Sequence, residues 1–395
     1  METTPFSQEA VPPTPPLFTP PPVIAPPPPT KPRRSWGWMI FAIILLVLLA
    51  FSLLGNFAQA ISHAIGGGFN RGFKTSSARD IGPKLEECIL EDNDARNKIA
   101  VVEVDGIITA HPQDNEIGSS QPHMSDFGMV DLIKAQLDRA KDDSRVKAVI
   151  LKVDSPGGEV MASDQINKLF VKFQKESNKP VICSMGSLAA SGGYYISAPS
   201  RWIVADDLTL TASIGVIMEG LNYRSLMDKI GVAPDVYKSG KFKDMLSPMR
   251  ETNEIPPEEH AMVQKLIDDT YQKFKDVVRD GRNAAHKANG NEGKALAPDW
   301  ESYADGRVVS GDQALQIGLV DELGDFDAAV KRAKTIANIH DGANLIEYRE
   351  RYDLSNFLSM FGQSGKAHDI KLDLGVDIPK LRAGALYFLW QPPGD

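Results

Sequence analysis

The chain has 395 residues, enough for one large domain or two small ones, and at 42% apolar and 24% charged it has the make-up of ordinary globular protein. A formal net charge of −9 argues against a nucleic-acid partner, which needs a clustered basic face. Two cysteines, Cys88 and Cys183, are too few for a disulfide scaffold, and no Cys/His grouping has metal-ligand spacing, so neither a metal nor a cofactor is expected.

Residues 1–35 hold 13 of the 27 prolines. Such a segment cannot propagate helix or sheet hydrogen bonds, and it is expected as a solvated tail, with docking to a proline-binding module as the alternative. Trp36 to Leu54 then runs without a charge, about the length of a membrane-crossing helix. Lys31, Arg33 and Arg34 precede this span and no charge follows it until Arg71, which places the N-terminus in the cytoplasm and the rest outside. Ala58-Gln-Ala60 resembles a signal-peptide cleavage site. The apolar run exceeds the usual signal core, however, so an uncleaved anchor over 36–55 is expected in the inner membrane. A linker and extension follow over 56–96.

From residue 97 strands and helices alternate. Ile99–Ile108, Val146–Val153, Pro180–Met185 and Arg201–Ala205 are apolar, β-branched runs, whereas Met129–Lys141 and Ala162–Gln174 carry helical spacing. Continuous apolar strands separated by amphipathic helices predict an α/β fold, a parallel sheet with flanking helices. A long amphipathic helix is expected after Pro256 to about Arg279, then shorter units over Gly311–Gly318 and Asp327–Ala337. The domain is bounded at 97–340. In the remaining tail, 341–395, Ala383–Trp390 is apolar and aromatic and suited to docking on the domain or on a neighbour.

The chemistry concentrates at Ser191, which follows a strand and precedes Gly192 and Gly193. A helix starting there would aim backbone N–H groups at an anion, and glycine lets the backbone approach a substrate closely. The Gly157-Gly158 turn, at the carboxyl end of a parallel strand, is the natural second donor for the oxyanion of an acyl-transfer reaction. Ser184 and Ser187 are alternative nucleophiles. A serine needs a base. No histidine lies between residues 124 and 259, which leaves Lys238, Lys241 and Lys243. A lysine serves only when neutral, so burial must lower its pKa well below the usual value of about 10.4.

Five motifs carry a family resemblance: Val-Asp-Ser-Pro-Gly-Gly (153–158), Ser-Met-Gly-Ser-Leu-Ala-Ala-Ser-Gly-Gly-Tyr-Tyr-Ile-Ser (184–197), Leu-Thr-Ala-Ser-Ile-Gly-Val-Ile-Met (210–218), Lys-Ser-Gly-Lys-Phe-Lys-Asp (238–244) and Ala-Asp-Gly-Arg-Val (304–308). In this order and spacing the chain resembles the signal peptide peptidase A family, membrane-anchored Ser-Lys peptidases related to the ClpP/crotonase superfamily. The resemblance implies Ser191 as nucleophile, Lys243 as general base, Ser213 as the residue that orients the lysine amine, and the N–H groups of Gly158 and Gly192 as the oxyanion hole. It implies hydrophobic peptides as substrates, remnant signal peptides among them. Because the chain holds one copy of a domain that longer relatives duplicate, it also implies a homo-oligomeric ring, an octamer by expectation, in which neighbouring subunits complete the dyad. The Pro-rich tail and a polar insertion around Gly290–Pro298 depart from the simplest family pattern without touching the site. Two other readings stand beside this one: a catalytically silent membrane scaffold of the same fold, and a crotonase-like acyl-CoA enzyme.

Overall fold

The structure is a computed structural model, and it describes residues 45–46, 82–110, 127–351 and 386–389. The chain divides into two units, Met1–Ser77 and Ala78–Asp395. Leu45 and Leu46 are helical. The rest of the expected span 36–55, and the whole Pro-rich segment, lie outside the described residues. Among the described residues no helix is long and apolar enough to cross a membrane.

The second unit is built on a sheet with nine described strands. In chain order its first members are β1 (Leu85–Glu91), β2 (Lys98–Asp105) and β3 (Val146–Ser155). A short strand outside the main sheet, β4 (Gly157–Glu159), is followed by β5 (Val181–Ala190), β6 (Trp202–Ala205), β7 (Leu210–Ala212), β8 (Val308–Ser310), β9 (Glu322–Leu323) and β10 (Asn344–Glu350). The main path runs β1-β10-β2-β3-β5-β6-β9, with β7 and β8 branching from β5. All pairings are parallel except β1 with β10 and β7 with β8. The mixed α/β fold with a largely parallel sheet is therefore as expected.

Alternate residues of the central strands feed two cores, which is why these strands read as continuous apolar runs. Ala100, Val102, Val149 and Leu151 face the helices Met129–Asp142 and Val160–Ser177. Ile99, Ala148, Ile150 and Ile182 face Ala329, Val330 and Ala333 of the helix Phe326–Ile336. The helix Val160–Ser177 stops where Asn178 turns left-handed at φ 55°. The short helix Gly311–Gln316 starts at a capping box of Ser310 and Gln313.

Three boundaries differ from the sequence expectation. β5 continues past Met185 to Ala190, because Leu188 to Ala190 pair with β7 although Gly186-Ser187 looks like a turn. The helix expected to end near Arg279 runs from Pro257 to Ala288. Its last turns are held by Arg282, fully buried in a 2.5 Å ion pair with Asp321, a contact that no helical periodicity predicts. β1 and β10 fall outside the range 97–340 yet pair within the sheet, Leu85 opposite Glu350 through Ile89 opposite Ile346. A final strand, β11 (Tyr387–Leu389), pairs antiparallel with β4.

Candidate active site

β5 ends by delivering Ser191 into a sharp turn. Ser191 has φ 53° and ψ −115° and caps the short helix Gly192–Ser197. A positive φ is costly for a residue with a Cβ, and strained serines of this kind present a nucleophile at the end of a strand in other hydrolases. The turn is pinned on both sides: the Ser191 N–H donates to the Ala212 carbonyl at 2.7 Å, and the Ser191 carbonyl accepts from the Tyr195 N–H at 2.8 Å. Ser191 is almost wholly buried.

The bond to Ala212 joins this turn to a second strained one. Ala212 and Ser213 have φ 63° and 49°. Ser213 donates its N–H to the Arg307 carbonyl at 2.9 Å and its hydroxyl to the Gly306 carbonyl at 3.3 Å. The Ala304–Val308 motif thus supports Ser213, a role its sequence alone did not disclose.

The Gly157-Gly158 pair, expected as a turn, forms the start of strand β4 instead, and it closes the other side. A Cβ on Gly192 would lie 3.1 Å from the Gly158 nitrogen and 2.7 Å from the Ser163 hydroxyl. A Cβ on Gly157, whose φ is +102°, would lie 2.6 Å from the Gly192 nitrogen. The two glycine segments therefore lie against each other with no room for side chains. Gly157 also takes its N–H to the Ser155 hydroxyl at 3.1 Å. Ile108 bonds Gly157 and Glu159 at 2.8 Å each, so by strand alternation the Gly158 N–H points the other way, out of that pair. Ser191 and the backbones of Gly158 and Gly192 are thus gathered in one corner. A carbonyl carbon beside Ser191 would meet N–H donors suited to a developing oxyanion.

Beneath the corner Cys183, Tyr194 and Tyr195 are fully buried. Burial pushes the Cys183 thiol up to about 12, so it is an inert thiol, as its apolar run suggested. Burial likewise raises the phenols of Tyr194 and Tyr195; Tyr194 donates to the Leu319 carbonyl at 2.8 Å and Tyr195 to Asp164 at 2.9 Å.

Lys243 is placed differently. It is exposed in a turn, and among the described residues its ammonium makes no hydrogen bond or ion pair, with Ser191, Ser213 or any other group. The neighbouring lysines are occupied: Lys238 binds both oxygens of Asp244 at 2.7 Å, and Lys241 binds Glu258 at 3.0 Å. Lys243 is the one of the three left without a carboxylate partner among the described residues. The single chain therefore brings Ser191, Ser213, Gly158 and Gly192 together and leaves Lys243 at the surface. Ser184 and Ser187 both lie within β5, neither in the strained turn. No grouping of His, Cys, Asp and Glu among the described residues has the form of a metal site.

Residues 173–340 match the model of peptidase family S49. A chain of Enterococcus faecium named for signal peptide peptidase SppA is 35% identical over 317 residues, covering 80% of this chain and 83% of that one. The protein belongs to peptidase family S49. Another relative, the chloroplastic serine protease SPPA of Arabidopsis thaliana, is 35% identical over 57% of this chain and 31% of its own length. A solved structure of a membrane-bound stomatin-specific protease with a substrate peptide matches over 68% of this chain and 99% of that one, at 18% identity and a TM-score of 0.36, a likeness too distant to bear on the site. This S49 chain is a serine protease of the SppA type.

Proposed function

We propose that this S49 peptidase is a membrane-anchored endopeptidase of the ClpP/crotonase type that degrades remnant signal peptides and other short hydrophobic peptides. The observation that carries the reading is the strained Ser191 turn set beside the Gly158 and Gly192 backbones. Ser191 attacks the scissile carbonyl while Lys243 takes its proton; the oxyanion is held by the Gly158 and Gly192 N–H groups. The amine leaves with a proton from Lys243, and water hydrolyses the acyl-enzyme. Ser213 orients the lysine amine. The anchor over 36–55 keeps the N-terminus cytoplasmic and the catalytic domain outside, near substrates released into the bilayer.

The dyad is completed between subunits of a homo-oligomeric ring. Support comes from the segment that carries Lys243, whose apolar side chains have no cover among the described residues: Leu221, Leu226, Ile230, Val232, Val236 and Tyr237 are all exposed, Tyr237 to 91%. Monomeric proteins rarely present such a cluster, and a neighbouring subunit would cover it. Docking would also bring Lys243 out of solvent and toward a neighbour's Ser191.

The test uses the full chain in detergent and a fluorogenic hydrophobic peptide. Ser191→Ala and Lys243→Ala are each expected to lose at least about a thousandfold in kcat/KM. Mixing the two inactive proteins under subunit exchange should restore part of the activity. Full activity in either variant would remove that residue from the mechanism.

A further inference from the structure

Lys243 is followed directly by a carboxylate, Asp244, an awkward neighbour for a base. That carboxylate does not stand free. Lys238 holds both of its oxygens at 2.7 Å, and the Arg250 guanidinium approaches one of them at 3.6 Å. The Lys238 hydrogen bond above all keeps the Asp244 carboxyl below its ordinary value, so it is an anion at neutral pH. Two carboxylates in the first turn of the helix Pro257–Ala288 are answered in the same way. Glu258 takes Lys241 at 3.0 Å, and the buried Glu259 takes Arg250 at 2.7 Å. Asp244, Glu258 and Glu259 thus each have a cation of their own, and Lys243 is the lysine of the motif left over.

A purely structural pair between Lys238 and Asp244 would serve to close the turn between them. Other bonds already do so. The Lys243 N–H donates to the Gly240 carbonyl at 3.4 Å, Met245 to Phe242 at 3.1 Å and Ser247 to Asp244 at 3.0 Å. Glu259 accepts from the Leu246 N–H at 3.2 Å, and Arg250 donates to the Asp244 and Glu254 carbonyls at 3.4 and 2.8 Å. The Lys238 side chain is 38% exposed, and a pair that open adds little to stability. What the pair does change is the surroundings of Lys243. Without Lys238, a carboxylate one residue away would draw the Lys243 ammonium onto its own loop; Arg250 is committed to Glu259 and to two carbonyls. An ammonium in an ion pair has no lone pair with which to take the serine proton, and one turned back on its loop does not reach a neighbour's Ser191.

We propose that Lys238 is a positioning residue for the reaction, occupying Asp244 so that the Lys243 amine enters the active site unpaired. The inference rests on Lys243 being the general base. Lys238 acts only through Asp244, so the two partners of the pair are unequal. Loss of the lysine frees a carboxylate to capture the base. Loss of the carboxylate leaves nothing to guard against. A structural brace behaves otherwise, since removing either end breaks the same bridge.

The experiment is steady-state cleavage of the fluorogenic hydrophobic peptide by the full chain in detergent, for wild type, Lys238→Met, Asp244→Asn and the double variant. Sedimentation and thermal melting are followed for each. Lys238→Met should lower kcat about tenfold at nearly unchanged KM, with assembly and thermal transition in place. Asp244→Asn should stay within about twofold of wild type, and adding it to Lys238→Met should restore kcat to within about threefold. Lys238→Arg, which keeps a cation on Asp244, should also stay close to wild type. Equal losses in the two single variants, or a double variant no faster than Lys238→Met, overturn the inference and make the pair a brace. A Lys238→Met protein that fails to assemble, or that loses activity only in step with its thermal transition, overturns it as well. Full activity in Lys243→Ala removes the base assignment itself, and this inference with it.

Discussion

At the scale of single residues the site is defined by strain and by missing side chains. Ser191 holds a left-handed φ that glycine adopts without cost, and Ala212 and Ser213 beside it do the same. Ser191→Gly should therefore be more stable than Ser191→Ala by about 1 kcal/mol, both being inactive, because only glycine relieves the turn. Equal urea midpoints for the two variants would show that the turn is not strained. The opposite constraint acts at Gly192, where Ser163 and the Gly157-Gly158 backbone occupy the space of a Cβ. The sequence pointed to these glycines through their pairing with a serine. It could not tell Ser191 from Ser184 or Ser187 by chemistry, since the distinguishing property is a backbone angle.

Among the elements, β2 and the loop before β3 share a charged cluster beneath the sheet edge. The Lys98 ammonium is buried between Glu87 of β1 and Asp143, the latter at 3.2 Å. Burial alone would raise the Asp143 carboxyl, but hydrogen bonds from the Arg145 backbone and guanidinium, with Lys98, outweigh it and hold Asp143 at about 2 against an ordinary 3.8. A depressed folded-state pKa stabilises above the unfolded value and is lost as pH falls through the folded one. The contribution of Asp143 is thus complete above about pH 4 and fades toward pH 2. Asp143→Asn should lower the urea midpoint at pH 7 and flatten its fall between about pH 4 and pH 2. A parallel fall in both proteins would remove Asp143 from the account. β1 and β10, which close this edge, went unexpected because they are short strands whose pairing with each other joins residues more than 250 positions apart in the chain.

For the whole molecule the unsettled surface is the Lys243 segment. Burying its exposed apolar side chains against a neighbour is the driving force proposed for assembly. Ile230, 67% exposed in the single chain, gains nothing from remaining apolar there. Ile230→Glu should therefore leave the thermal transition of the domain in place, shift the particle to smaller mass in analytical ultracentrifugation, and lower peptidase activity at least tenfold. Unchanged mass and activity would place the subunit contact elsewhere.

The sequence by itself determined the α/β class, through continuous apolar strands between amphipathic helices, and it marked the serine-glycine turn, which depends on local residue types; the Gly157-Gly158 pair became a strand because its partners come from distant parts of the chain. The family followed from the order and spacing of five short motifs. Tertiary structure alone decided that Ala304–Val308 supports Ser213, that Arg282 meets Asp321, and that Phe388 lies on Gly158. Each of these joins residues tens to hundreds of positions apart through backbone groups or one buried charge, and neither backbone groups nor long-range partners leave a periodic trace in the order of side chains.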